Sequence, residues 1–333
     1  NICLSLDDNV WPGDTNSDNV ASHIDLLSIG LTYNFTGPAR MDTNSEWNGF
    51  ISPNWGGDFA NGLNHKHADA NGDGVVDAAD EEVLEQNYGL THGPTNDFEQ
   101  LPYTDLDPPV FMDLEELDQL PAGTNVQIPV VAGAADQMID DIYGMAFTLE
   151  LDPERFDMSS VEVIFPTSWF GEPGTNTTHL HRVYDDGRIE VALSRTDHNN
   201  VSGFGTIMYL RIIIDDIAGV HEVPTTLVVN DIMGIDHDEQ HLTLRPGMST
   251  AMITSTKEGT DREELLSTFG IFPNPTRDVV YFKNAYNMAP NRLDLFNAAG
   301  QQLTSIKEPG MQFDLSGYPP GVYMTQIHLE GQI

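Results

Sequence analysis

The sequence predicts a mainly β, multidomain protein that opens with a small α-helical module, continues as an antiparallel β-sandwich and closes with a smaller one. Three observations carry this. Two twelve-residue segments near the start place oxygen-bearing side chains at alternate positions, and each runs into a helical apolar pattern. From about Pro108 to about Thr254, apolar residues recur on every second position. Beyond residue 270 a second alternating pattern begins, divided by Pro and Gly turns. The boundaries read from the chain are 1–107, 108–254, a polar linker at 255–269, and 270–333.

The two opening segments are DTNSDNVASHID (Asp14 to Asp25) and DANGDGVVDAAD (Asp69 to Asp80). A hard divalent cation such as Ca2+ needs six to eight oxygens, and a tight loop supplies them from positions 1, 3, 5, 9 and 12 plus the carbonyl of position 7. The first set is Asp14, Asn16, Asp18, the Val20 carbonyl, Ser22 through a water, and Asp25; the second is Asp69, Asn71, Asp73, the Val75 carbonyl, Asp77 and Asp80. Gly74 stands at position 6 of the second loop, where the turn needs a positive φ. Asn19 stands there in the first, and Asn tolerates that region better than most residues. Asp at position 12 is shorter than the bidentate Glu of sensor loops, which favours a structural site over a switch.

Ile24, Leu27, Ile29 and Leu31 follow the first loop at roughly helical spacing, as Val83, Leu84 and Tyr88 follow the second. Two half EF-hands, each preceding one helix, resemble a dockerin, the calcium-dependent module of cellulosome assembly. An insert bearing Trp47, Phe50, Trp55, Gly56 and Gly57 makes the spacing longer than a dockerin linker. The run is also similar to a calcium-binding unit of large secreted Bacteroidota proteins, which implies that the insert aromatics cover the helix pair. His65 and His67 lead into Asp69 and are expected to pack around that loop without coordinating.

In the middle region Tyr143, Met145, Phe147, Leu149 and Leu151 alternate, as do Met208, Leu210, Ile212 and Ile214. Strand candidates VFMDLEE, TNVQIPVVAG, SVEVIFP, THLHRVY, RIEVALS, PTTLVVNDI, HLTLR and STAMIT are punctuated by Gly, Pro, Asp and Asn, the pattern of an immunoglobulin-like sandwich. TNVQIPVVAG with DIYGMAFTLELDPERF is similar to the opening of cohesin-type sandwiches. Two arrangements stay open: the calcium module docks on the sandwich of the next copy, building a polymer, or both pack within one molecule.

HDEQH (His237, Asp238, His241) imitates a zinc motif that works only on a helix, yet its flanks read as strands, so a turn is expected. His179 and His181 share a strand face but do not close a metal site alone. No phosphate loop or nucleophile elbow occurs. Cys3 is the single cysteine, which excludes an internal disulfide and, with no nearby histidine, makes a poor nucleophile. Trp47 and Trp55 offer a possible glycan contact, with packing as the default. The expectation is a non-enzyme.

IFPNPTRDVVYF (Ile271 to Phe282), LDLFNAAGQQL (Leu293 to Leu303) and FDLSGYPPGVYMTQI (Phe313 to Ile327) form the last pattern. Through PNPT, LDLFNAAG and DLSGYPPGVY it resembles the C-terminal sorting domain of the type IX secretion system. The resemblance implies a Bacteroidota protein exported to the outer surface, with the secretion machinery as a partner, and a Lys-rich closing strand beyond the GQI end. The NICLSLDDNVW start reads as if more chain preceded it.

Composition agrees with an extracellular role. Asp and Glu outnumber Lys and Arg by 52 to 14, a formal net charge of −38, so nucleic acid and anionic membranes are excluded as partners. No apolar run is long enough to span a bilayer. The function expected is a secreted, calcium-stabilised structural or adhesive surface protein, with self-association into a filament or sheath. The alternative is an accessory, carbohydrate-binding or scaffolding region of a larger extracellular enzyme.

Overall fold

The computed structural model describes residues 8–95, 99–115, 117, 119–215, 222–254, 270–283 and 290–328. Cys3, the linker at 255–269 and the GQI end lie outside them. The described chain forms two compact units. The first joins the segment before residue 108 to the sandwich after it; the second begins beyond the linker.

In the first unit the helices are α1 (Asp25–Leu31) and α2 (Ala78–Asn87), with a single 3-10 turn at His65–His67. Fourteen strands follow: β1 (Pro109–Met112), β2 (Gln119–Pro121), β3 (Asn125–Ala132), β4 (Ile139–Ile142), β5 (Gly144–Glu150), β6 (Phe156–Ile164), β7 (Thr177–Val183), β8 (Arg188–Arg195), β9 (Val201–Gly203), β10 (Gly205–Ile214), β11 (Glu222–Ile235), β12 (His241–Leu242), β13 (Arg245–Pro246) and β14 (Met248–Thr254). One sheet runs β13-β1-β3-β10-β6, and the facing sheet β2-β14-β11-β5-β8-β7 with β12 on the end of β11. The sandwich is not wholly antiparallel as the alternation implied. β1 pairs with β13, and β14 with β2, in parallel. HLTLR is two short strands, not one, because the chain changes sheets between Leu242 and Arg245.

The alternation does its expected work inside. Met145, Phe147 and Leu149 of β5 and Ile189, Val191 and Leu193 of β8 join Ile128, Val130, Leu210 and Ile212 from the opposite sheet in one buried core. The second unit repeats the plan in miniature with β15 (Gly270–Phe272), β16 (Val279–Lys283), β17 (Arg292–Asn297), β18 (Gln302–Lys307), β19 (Gln312–Asp314) and β20 (Tyr323–His328). Two three-stranded sheets, β15-β16-β19 and β18-β17-β20, close on Val280, Phe282, Leu293, Leu295 and Phe313.

The other face of β5 and β8 is also buried, which alternation alone does not require. Ala146 and Ala192 belong to a second core with Leu26, Leu27 and Ile29 of α1, Trp55 and Phe59 of the insert, and Tyr143, Leu180 and Ile235. The helix lies on a floor of small residues. A Cβ on Gly30 would fall 2.0 Å from the Ser194 hydroxyl oxygen, and one on Gly144 would fall 2.9 Å from a Leu27 methyl. The Tyr143 hydroxyl donates to the Gly30 carbonyl at 2.9 Å inside this contact. Of the two arrangements left open by the sequence, this is the one within a single molecule.

Gly30→Ala should therefore cost about 1–3 kcal/mol of stability through overpacking, outweighing the roughly 0.5–1 kcal/mol that alanine gains in a helix interior. Adding Ser194→Gly in the same chain should recover much of the loss. Urea unfolding of the single and double variants measures both, and strictly additive losses would show that the two positions do not touch.

Candidate metal centre

The two loops fold alike despite different sequences. Asp18 N donates to Asp14 Oδ1 and Asn19 N to Asp14 Oδ2, both at 3.0 Å, while in the second loop Gly74 N donates to Asp69 Oδ2 at 3.1 Å. The side-chain oxygen Oδ1 of Asn16 accepts from Asp18 N and that of Asn71 from Asp73 N. Asp18 Oδ1 accepts from Val20 N as Asp73 Oδ1 accepts from Val75 N. At position 12, Asp25 takes Asn16 N and Ser22 N, and Asp80 takes Asn71 N and Asp77 N. Asn19 and Gly74 both adopt positive φ, +78° and +92°. Glycine is needed at the second position for room as well, since a Cβ there would come within 2.6 Å of the Gly37 carbonyl oxygen.

The last ligand positions also start the helices. Asp77 caps α2 by accepting from Ala79 N, and Asp80 closes a reciprocal capping box. Asp25 is the first residue of α1. Each loop is held by the stretch that follows the other loop's helix: Val20 bridges to Thr91, and Val75 to Thr36. The result is a reciprocal clasp between the two halves of the module.

Burial makes these carboxylates costly as anions. Burial pushes Asp80 up to about 8 and Asp69 up to about 6. Asp25, fully buried, is raised well above the usual range by desolvation and then by the charges of Asp14 and Asp18. Asp69 Oδ1 is buried with no hydrogen-bond partner, the position a cation would fill. No three His, Cys, Asp or Glu groups form a metal-holding cluster among the described residues. Each donor set named from the sequence holds three or four Asp together with an Asn amide oxygen and a Val backbone carbonyl, the kind of oxygens that hard ions accept.

Several contacts that support the loops carried no sequence signal. His92 meets Asp14 Oδ2 at 2.7 Å and stacks on Trp11, 4.0 Å between ring centroids. Buried Arg40 donates to the Ala70 carbonyl at 2.9 Å, beside the second loop. Tyr88 donates to Glu190 Oε2 of β8 at 2.6 Å and accepts from His23 N, tying helix end, loop and sheet together. Only proximity in the fold reveals them, since they come from distant parts of the chain.

The remaining candidates take structural places. Asp236 and Gln240 close a turn, so His237, Asp238 and His241 do not share a helical face. His179 and His181 flank Phe165 at 4.0 and 6.3 Å. His67 is buried, and His65 packs edge-on against Phe59 without reaching the loop carboxylates. Trp55 is buried and donates to the Pro38 carbonyl, and half-buried Trp47 donates to that of Thr91.

Residues 270–332 match the family of secretion system C-terminal sorting domains. The chain carries an export address. The sorting domain directs the protein to the cell surface or extracellular space, and no helix among the described residues is long and apolar enough to cross a membrane. Similar solved structures include a cohesin module of a family 33 glycoside hydrolase from Clostridium perfringens, 9% identical, covering 45% of this chain and 98% of that one at a TM-score of 0.35. A type I cohesin–dockerin complex from Clostridium thermocellum is 16% identical over 47% and 99%, TM-score 0.37. A non-cellulosomal cohesin from Archaeoglobus fulgidus is 18% identical over 47% and 97%, TM-score 0.33. Among curated proteins nothing matches.

In metal-free protein the raised carboxylates set a pH dependence. Between the ordinary carboxylate value of 3.8 and the folded value of about 8 for Asp80, the folded chain holds more protons than the unfolded one. The contribution of these carboxylates to stability in chelator should thus be full near pH 4 and fall as pH rises towards 8, while the lowered His23 and His67 act in the opposite sense between about 4 and 6.5. Because a cation displaces those protons, the rise in melting temperature on adding calcium should widen from pH 5 to pH 8. Thermal unfolding in excess chelator and in excess CaCl2 checks this, and a gap that narrows with pH would contradict it.

Proposed function

We propose that this sorting-domain protein is a non-catalytic structural or adhesive component of the cell surface whose first unit is made rigid by two calcium ions. One observation carries the reading: the two segments, which share Asp, Asn, Asp, Val and Asp at positions 1, 3, 5, 7 and 12, form the same loop around buried carboxylates, and one carboxylate oxygen, Asp69 Oδ1, has no hydrogen-bond partner. The residues that would hold the ions are Asp14, Asn16, Asp18, Val20, Ser22 and Asp25, and Asp69, Asn71, Asp73, Val75, Asp77 and Asp80. The ion would supply the positive charge that the chain, at −38, lacks there. Self-association, if it builds a filament or sheath, would use surfaces other than the sheet face under α1, which the same chain already covers.

Extracellular sites of this kind bind at about 10⁻⁴–10⁻³ M, so millimolar calcium adds roughly 0.4–1.4 kcal/mol per site by mass action. Because α1 is continuous with the first loop and buried on the sheet, chelation should alter the near-UV signal of Trp11, Trp47 and Trp55 and lower the melting temperature of the sandwich with it. Calorimetric titration of the chelated chain should show two binding events, and Asp73→Asn should remove or weaken one. A titration without heat, or tryptophan signals indifferent to chelator, would sink the proposal.

A further inference from the structure

α1 covers only part of the apolar face that the sheet turns towards it. Beside the helix lies an open groove of about 710 Å³, floored by Leu27 and Leu31 of α1 and by Met233 and Ile235 of β11. The floor continues the second hydrophobic core, in which Leu27, Leu31 and Ile235 are buried and Met233 is packed at the edge. An apolar strip open beside a packed interface is a place where another element fits.

The groove's polar groups say what kind of element. Glu99 and Glu239 stand at its rim, with Asp18 of the first loop at one end, and no lysine or arginine lines it. Glu239 Oε2 accepts only a backbone N–H, from Ala60 at 2.8 Å, and neither Glu99 nor Glu239 has a salt-bridge partner among the described residues. His23 is 7% exposed and lines the same groove, yet neither of its ring nitrogens has a hydrogen-bond partner.

We propose that this groove docks a cationic amphipathic segment of another protein, its aliphatic side chains on the Leu27, Leu31, Met233 and Ile235 floor and its lysine or arginine groups at Glu99 and Glu239. Charge selects this occupant over a second copy of the chain, which would bring a net −38 against an acidic rim. The inference goes beyond the calcium reading; because Asn16, Asp18, Val20 and Ser22 of the first loop also line the groove, binding is compared at one fixed calcium concentration, where the effect of Met233→Arg is separate from that of metal.

The test uses the full chain and a fluorescein-labelled peptide of Leu, Lys and Ala with Leu at i, i+3, i+4 and i+7, followed by anisotropy at about 0.15 M salt. A peptide of the same composition with scrambled order, and one with Glu in place of Lys, are the controls. The patterned cationic peptide should bind at least about tenfold more tightly than either control. Met233→Arg, which places a cation and extra bulk in the groove, should cut binding at least about tenfold. Glu239→Gln, which keeps an oxygen for Ala60 N but removes the charge, should weaken it less. An unchanged near-UV spectrum verifies that each variant is folded. Equal binding of patterned and scrambled peptides, or binding indifferent to both substitutions, would mean general attraction to an acidic protein and would overturn the proposal. A dimer in sedimentation that Met233→Arg dissolves would assign the groove to a second copy and overturn it as well.

Discussion

Asp25 concentrates the constraint on which the first unit turns. It is the twelfth residue of a loop, the first residue of a helix, and a fully buried carboxylate that accepts from Thr15, Asn16 and Ser22 backbone N–H groups. Backbone donors alone leave its charge expensive, as the upward displacement of its proton affinity shows. Whatever neutralises that charge, a proton or a cation, also fixes the start of α1. Since α1 has only seven residues and no side-chain cap, it could not persist without the loop before it and the sheet beneath it.

The contact between α1 and the sheet explains why the helical segment and the sandwich form one unit. Strands β5 and β8 are lined on the outer face by Gly144, Ala146, Ala192 and Ser194, so that Gly30 can approach the backbone closely. Polar ties surround the apolar patch: Tyr143 to Gly30, Tyr88 to Glu190, and His198 to the Tyr33 carbonyl at 3.0 Å. A transient docking surface has less reason to commit buried hydrogen bonds of this kind, since each leaves an unpaired group when the partner departs.

Two buried histidines show how the same packing shifts titratable groups. His23 is held down to about 4 by burial, and His67 likewise, although Asp8 and Glu190 lie near them and oppose the shift. His23 lies within the first aspartate-rich loop and His67 just before the second.

Much of this protein was legible in one dimension because the relevant signals are local. Loop spacing located the two turns that begin at Asp14 and Asp69, alternation located the buried faces of β5 and β10, and the PNPT, LDLFNAAG and DLSGYPPGVY runs located the export domain. Local pattern did not show that Ala146 and Ala192 face a helix instead of water, because a small residue on a strand reads the same in either place. Nor did it find His92, Arg40 or Glu190, whose partners lie 78, 30 and 102 residues away in the chain. The sequence by itself determined which segments turn, coil and extend, since those choices rest on neighbouring residues. Only the tertiary structure decided that the loops clasp each other and that α1 closes on its own sandwich, since those choices rest on surfaces that do not exist until the chain has folded.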